Sequence, residues 1–468
     1  MYFMQKSNVL FRNYESFGYI TDNRNFEYRQ TNNNQDYIGD KILSESGAVF
    51  MSVLEKKPLT IKVLASKINR QFTDIDLKTI KSDAKEFYLL LEKEGFVVSG
   101  ETEQDCNDKD IKFSYRISSH DSEKKEFLQP IKHPEKTTQD FLEEHFKGKP
   151  QLTNLHLEII SKCNERCIHC YIPHDNKISY MKPDLFHDIL NQCVKMNVLN
   201  LTLSGGEPLL HKNFCDYLRK CREYDFSVNV LSNLTLLNDE IIKEMKLNPL
   251  LSVQVSLYSM NSDIHDRITQ MKGSFEKTKN AILTLVQNEI PMQLSCPIMK
   301  QNKLSYGEVI KWAEKHNIPV GDDYGIIAEY NHTNENLKCR LSIEEIKKVV
   351  EDKVANDAKY LEQILSEAEK KKDNKANDSV CSVCRSTICI SHNGDVYPCE
   401  GWQDYTVGNI KETSLHEIWE NSERNQFLRS LRNQDFPQCI KCPDKEYCNM
   451  CMVRNANENP TGDPLVVK

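Results

Sequence analysis

Between residues 151 and 330 the chain alternates short apolar runs with amphipathic stretches. The apolar runs at 155–160, 200–204, 227–232, 251–257, 292–298 and 318–327 predict strands. The stretches between them, at 183–197, 214–224, 238–246, 274–289 and 305–317, carry apolar residues at helical spacing. Pro183 opens the first of these and Gly273-Ser274 stands before the fourth, as helix starts require. Strand–helix alternation predicts a parallel sheet with right-handed crossovers. Six units fall short of a closed ring of eight, so the α/β fold expected is an open, partial (β/α)6 TIM-like barrel over 151–330. Functional groups in such a sheet gather at the carboxyl ends of the strands.

The first 100 residues follow a different pattern. Residues 8–30 read as extended, with Val9-Leu10-Phe11 and Tyr19-Ile20 as apolar islands. Three helical patterns follow. One spans 47–54 with Ser44 or Ser46 as cap, one spans 61–68 after Thr60, and a longer one starts at Thr73 or Asp74 and closes at Gly95. Phe96-Val97-Val98 reads as a short strand, and Phe113-Ser114-Tyr115-Arg116-Ile117 as a second wing strand. This order predicts a winged-helix-like domain over 1–100. Residues 101–150 are mostly polar and read as a linker with a little helix around Thr138–Glu144. Residues 331–378 read as a charged helical insert and linker, with Ile343, Ile346, Val349, Val350 and then Tyr360, Leu361, Ile364, Leu365 at helical spacing.

The net charge over 468 residues is −8 with no long block of one sign, which argues against a nucleic-acid footprint. The third helix, around Asp76–Glu86, mixes charges and offers no arginine for major-groove readout. No apolar run reaches the length of a membrane helix, and Met1–Lys6 lacks an apolar signal core. A cytoplasmic protein is expected. There, 17 cysteines are metal ligands and buried thiols and not a disulfide framework. Six of them, Cys106, Cys193, Cys215, Cys221, Cys296 and Cys339, are scattered and read as ordinary thiols.

Three cysteines share one loop. Cys163-Asn164-Glu165-Arg166-Cys167-Ile168-His169-Cys170 follows the first barrel strand with C-x3-C-x2-C spacing. Three thiolates can hold three irons of a four-iron cluster and leave the fourth open to a ligand, unlike a closed four-cysteine site. Zinc is the competing reading, but zinc sites come as paired C-x2-C units. The second strand ends in Ser204-Gly205-Gly206-Glu207-Pro208, the third in Ser232-Asn233 and the fourth near Ser256, with Arg267 beyond. Glycines admit close backbone approach, a carboxylate accepts from an ammonium, and a guanidinium grips a carboxylate as a fork. These groups suit an amino-acid ligand carried on the open iron.

The ordered combination resembles the radical S-adenosylmethionine superfamily. The resemblance implies that Cys163, Cys167 and Cys170 bind a reducing [4Fe-4S] cluster. It places Gly205, Gly206 and Glu207 at the methionine amine of the cofactor, and Ser256 and Arg267 at its carboxylate. His169 takes the aromatic position near the adenine. Asn233 falls where the family has a Thr-Asn-Gly turn, which reads Ser232-Asn233-Leu234 here. The chemistry implied is hydrogen abstraction by a 5′-deoxyadenosyl radical.

A second cysteine field occupies 379–468. Cys381, Cys384 and Cys389 precede a hairpin turn at Asn393-Gly394-Asp395 and then Cys399; Cys439-x2-Cys442-x5-Cys448-x2-Cys451 closes the field. Paired C-x2-C units keep zinc open here. With Gly408-Asn409-Ile410 and Leu415-x2-Ile418-Trp419, the field resembles the SPASM extension, which carries auxiliary [4Fe-4S] clusters. The resemblance assigns Cys381, Cys384, Cys399 and Cys451 to one cluster and Cys439, Cys442 and Cys448 to a second, leaving Cys389 as strand packing. The family's final cysteine beyond Cys451 has no counterpart. A truncated form is the expectation, and a second cluster with an open iron the alternative.

Residues 8–100 resemble the PqqD-like leader-recognition domain, which takes a peptide as an added strand. The function expected is therefore maturation of a ribosomally made precursor peptide. The product expected is an intramolecular Cys thioether, and the electron donor a flavodoxin or ferredoxin. Peptide epimerisation, C–C or C–O crosslinking and sulfatase maturation are rival activities. An Fe–S redox sensor with a winged-helix DNA-binding domain is the non-enzyme alternative. For epimerisation, Cys296 is the candidate hydrogen donor.

Overall fold

The computed structural model describes the chain except residues 15, 23–38, 73, 111–141, 143–144, 147–148, 174–177, 357–359, 362–375, 449 and 466–468. The front module has six short strands: β1 (Tyr2–Gln5), β2 (Leu10–Asn13), β3 (Gly18–Thr21), β4 (Asp40–Leu43), β5 (Leu59–Thr60) and β6 (Val97–Gly100). They form two antiparallel sheets, ordered β5-β1-β6 and β2-β3-β4. Helices α1 (Glu45–Ser52), α2 (Ile61–Asn69) and α3 (Leu77–Lys93) supply the other layer of a core built on Phe3, Leu64, Ile68, Tyr88 and Leu91.

Ser44 caps α1 and Thr60 caps α2, each accepting the backbone N–H three residues on. The start of α3 differs from the sequence expectation. Asp76 is its cap, accepting from the N–H groups of Lys78 and Thr79, because a carboxylate two residues before Lys78 outcompetes the earlier Asp74. Helix α4 (Glu103–Lys109) falls where a linker was expected, opened by a Thr102–Asp105 capping box. Thr73, the Phe113–Ile117 strand and most of Thr138–Glu144 lie outside the described residues.

The barrel strands β7 (Asn154–Ile160), β8 (Asn200–Gly205), β9 (Ser227–Ser232), β10 (Leu251–Ser256), β11 (Met292–Ser295) and β12 (Val320–Gly321) lie in sequential order, all parallel. Helices α5 (Pro183–Lys195), α6 (Phe214–Glu223), α7 (Asp239–Lys246), α8 (Ser262–Thr269), α9 (Ser274–Gln287) and α10 (Tyr306–Lys315) alternate with them. The last two strands are shorter than the apolar runs suggested. Pro297 has no N–H to continue β11, and β12 stops before Asp322-Asp323 at the sheet edge. Helix α8 was not expected. It is one polar turn capped by Asn261 and continued by one more, with too few apolar positions to show a period.

Period-2 alternation sorts the barrel faces. Leu155, Leu157, Ile159, Leu201, Leu203, Val228 and Val230 pack under the helices. His156, Glu158, Thr202 and Ser204 point to the opposite face, the lumen.

After α11 (Ile343–Asn356), strand β13 (Thr387–Ile390) pairs in parallel with β7, and β14 (Asp395–Tyr397) and β15 (Gly408–Asn409) follow antiparallel. The sheet thus grows to nine strands, with the cysteine-rich region welded to the first barrel strand. The expected hairpin is present, with Cys389 opposite Tyr397. Four helices, Leu415–Asn421, Glu423–Ser430, Pro437–Lys441 and Met452–Glu458, complete this region. Among the described residues no helix is long and apolar enough to cross a membrane.

Candidate active site at the mouth of the barrel

The cysteine loop leaves β7 at its carboxyl end and is held from two sides. The N–H groups of Arg166 and Ile168 donate to the carbonyls of Thr269 and Ile268 at 2.9 and 3.0 Å. On the other side Gly206 N–H donates to Ile160 O and Glu207 N–H to Lys162 O, both at 2.9 Å. A Cβ on Gly206 would lie 2.2 Å from the Lys162 carbonyl carbon, and one on Gly205, where φ is +127°, would lie 2.0 Å from Ile160 O. These glycines therefore permit close approach to the Ile160–Cys163 backbone.

Cys163, Cys167 and Cys170 are half-buried neighbours; burial raises the pKa of the Cys167 thiol, and Glu165, Cys170 and Cys163 add to it. Burial pushes Cys163 up to about 12 and Cys170 up to about 11. The charges beside Cys163 are the carboxylates of Glu207 and Glu165. Thiols in this setting lose their protons when a metal cation binds the thiolate. A four-iron cluster takes each of three such thiolates on a separate iron.

Asn233, at the end of β9, donates its amide to Asn164 Oδ1 at 3.0 Å and reaches Cys163 Sγ at 3.9 Å. The turn after it lacks the glycine of the family pattern, and Leu234 adopts the left-handed conformation instead, with φ +58°. Its side chain is buried and its N–H is held by Ser232 Oγ at 2.9 Å, which offsets the strain of a non-glycine residue there. Glu207 is buried, and both carboxylate oxygens are engaged by the protein. Oε1 accepts from Leu209 N–H and Ser232 O–H, and Oε2 from Asn233 N–H. Desolvation raises its pKa to about 7.

Ser256 closes β10, half-buried, and bonds the Tyr258 phenol. Arg267 is exposed in the last turn of α8. His169 meets the ring of Tyr258 edge-on, with centroids 5.0 Å apart.

Two residues at this site escaped sequence reasoning. Tyr258 O–H lies 3.9 Å from Cys167 Sγ. Asn336 donates its side-chain amide to the carbonyls of His169, Cys170 and Ile327 at 3.3, 3.2 and 2.8 Å. Tyr258 sits two residues past the Ser256 strand end, a position open to inspection; Asn336 had no local signal.

Cys384 lies in one core with Trp402, Phe436 and Val453, and Cys381, Cys399, Cys439 and Cys451 pack against it. Burial raises the thiol pKa of both Cys381 and Cys399, and Cys451 adds to each. Cys439 is raised by Cys448 and Cys442 in turn, after its own burial. Arg454 Nη2 donates to Cys448 Sγ at 2.6 Å and its N–H to Cys451 Sγ at 3.4 Å. Cys389 is fully buried within β13. Cys296, the candidate hydrogen donor, is also fully buried, with Sγ 3.8 Å from Tyr258 O.

Residues 157–313 match the radical SAM superfamily model, and residues 381–443 match the SPASM iron–sulfur cluster-binding domain. The antilisterial bacteriocin subtilosin biosynthesis protein AlbA of Bacillus subtilis is 25% identical over 64% of this chain and 67% of its own. An AdoMet-dependent heme synthase of Methanosarcina barkeri is 24% identical over 64% of this chain and 90% of its own. The fold matches that of Streptococcus suis SuiB bound to precursor peptide SuiA, with a TM-score of 0.61 at 14% identity, over 99% of this chain and 98% of that one. The chain thus carries a radical SAM domain over 157–313 and a SPASM iron–sulfur cluster-binding domain over 381–443, and it is an enzyme of S-adenosylmethionine and [4Fe-4S] chemistry.

Proposed function

We propose that this enzyme matures a ribosomally made precursor peptide and closes an intramolecular thioether on a peptide cysteine. The observation that carries the reading is the extent of the fold match. It covers 99% of the chain and so takes in the front module, and the matched structure holds a precursor peptide.

In this reading Cys163, Cys167 and Cys170 hold the reducing cluster, and the ends of β8, β9 and β10 face its cofactor. Cys381, Cys384, Cys399 and Cys451 hold one auxiliary cluster, and Cys439, Cys442 and Cys448 the other. Bound there, S-adenosylmethionine and its cluster supply a carbon-centred radical that takes hydrogen from an unactivated carbon. The lumen face of the barrel orients the peptide and excludes water. The front module binds the leader by strand addition. Arg12 supports a fixed reach from leader to lumen, because it anchors β2 to the barrel carbonyls of Val198 and Asp225 at 3.0 and 2.6 Å. A flavodoxin or ferredoxin supplies electrons, in the cytoplasm.

The test is anaerobic incubation of reconstituted enzyme with S-adenosylmethionine, dithionite and the cysteine-bearing precursor peptide encoded beside its gene. A peptide two hydrogen atoms lighter, resistant to cysteine alkylation, with 5′-deoxyadenosine formed and all three effects lost in Cys163→Ala, establishes the reading. Unchanged mass with one solvent deuterium gained points to epimerisation. A lighter peptide whose cysteines still alkylate points to C–C or C–O crosslinking.

A further inference from the structure

Between the two cysteine regions the lumen holds a buried carboxylate that the cofactor machinery does not use. Glu158 lies on the lumen face of β7, two residues before the strand ends, and is 4% exposed. Its Oε2 accepts from the side-chain amide of Gln403, in the loop that follows Cys399. Its Oε1 is buried and has no hydrogen-bond partner among the described residues. Beside it on the same strand, His156 Nε2 shares a hydrogen bond with Ser204 Oγ, and His156 Nδ1 faces Glu400 at 4.0 Å. Glu158 also acts electrostatically on Cys170 and Tyr171 of the first cysteine loop and on Cys389 and Tyr397 of β13 and β14. No cation accompanies it among these groups.

A buried carboxyl oxygen without a partner is expensive, whether the group is ionised or protonated. A donor from outside the protein would satisfy it. We propose that Glu158 is a catalytic residue, the proton acceptor for the peptide's reacting cysteine thiol, oriented by Gln403 and flanked by the His156–Ser204 pair. The proposal rests on the thioether reading above. In the step, the thiol S–H bond breaks, its electron pair stays on sulfur, and an O–H bond forms at Glu158 Oε1. No electron leaves the pair of groups.

The energetics suit this role. An ordinary carboxylate holds a proton about 10⁴-fold less well than a thiolate does. Desolvation raises Glu158 to about 8, against the smaller opposing effect of the Gln403 hydrogen bond. That brings acceptor and thiol close to balance and leaves about a tenth of Glu158 ionised, the form that accepts a proton, at pH 7. Gln403 ties the acceptor to the Cys399 loop, so the group that takes the proton stands between the two cysteine regions.

The experiment compares wild type with Glu158→Gln on the cysteine-bearing precursor peptide of the assay above, from pH 7 to pH 9.5, with iron per chain and melting temperature read beside it. Wild-type conversion is the control for the thioether reading, so its failure is a failure of that reading and is seen before any variant is compared. The expected result is a loss of about 100-fold in Glu158→Gln at pH 7. Rate should return toward wild type as pH passes the thiol pKa and free thiolate no longer needs an acceptor, with iron content unchanged. Wild-type conversion by the variant at pH 7, or a loss that pH does not rescue, overturns the proposal. A loss matched by falling iron content also overturns it, because it assigns Glu158 a structural role. A protonated-carboxyl infrared band that titrates in wild type and is missing in Glu158→Gln is the independent signature; its absence from wild type also overturns the proposal.

Discussion

One oxygen of the Glu207 carboxylate accepts the backbone N–H of Asn233 at 2.8 Å. The end of the second barrel strand thus holds the turn that ends the third, and that turn in turn holds Asn164 beside Cys163. Glu207 acts on the cysteine loop through Asn233, with its carboxylate already satisfied by three protein donors. Glu207→Ala leaves those buried donors unpaired and is expected to cost about 3 kcal/mol in urea unfolding. Glu207→Gln is expected to be milder but still destabilising, since its NH2 must face one of the same donors.

Gly206 has no room for a side chain. In Gly206→Ala the new methyl meets the Lys162 carbonyl carbon at 2.2 Å and Cys163 N at 2.5 Å, all backbone. Neither partner can yield without moving the loop. The variant is expected to fold but to retain less iron after reconstitution, read as iron per chain and as the visible absorption of the cluster.

The pH dependence of stability should carry the mark of Glu158. Burial raises its pKa from 4.5 to about 8 in the fold. The folded state therefore keeps a proton that the unfolded chain has lost. The stability this group contributes is fully present below the unfolded pKa and is lost as pH rises through about 8. Glu158→Gln removes that slope, a difference on the order of a few kcal/mol. The fall in melting temperature between pH 5 and pH 8.5 is expected to shrink in the variant.

Arg12 joins the front module to the barrel. It is buried, donates to the Val198 and Asp225 carbonyls and stacks over Phe226 at 5.4 Å. Arg12→Ala is expected to cost about 2–3 kcal/mol at this seam. Limited proteolysis should then release the front module earlier than in wild type.

Cys389 and Cys399 flank one hairpin but have different surroundings. Cys389 is a fully buried strand residue, whereas Cys399 packs with Cys381, Cys384 and Cys451. Cys389→Ala is expected to keep its full iron content, and Cys399→Ala to lose about a third of it if three clusters are loaded. Iron analysis of the reconstituted variants separates the two.

Much of this protein is legible in its sequence. Strand–helix alternation predicts the half-barrel, because burying one face imposes a period on each element. The spacing of Cys163, Cys167 and Cys170 is local chemistry, readable a few residues at a time. Helix starts at Thr60 and Pro183 are legible for the same reason.

What only the tertiary structure decided depends on contacts between distant residues. Glu158 and Gln403 are 245 positions apart, and Asn336 and His169 are 167 apart. The pairing of β13 with β7 depends on sheet closure, which leaves no trace in either strand. Nothing in Gly205-Gly206 distinguishes an approach to a ligand from an approach to the Ile160–Cys163 backbone, since glycine permits both. Leu234 takes a left-handed turn that its type disfavours, because its buried side chain and the Ser232 hydroxyl hold it there. Local periodicity thus determined the elements, and long-range packing decided which side chains meet between them.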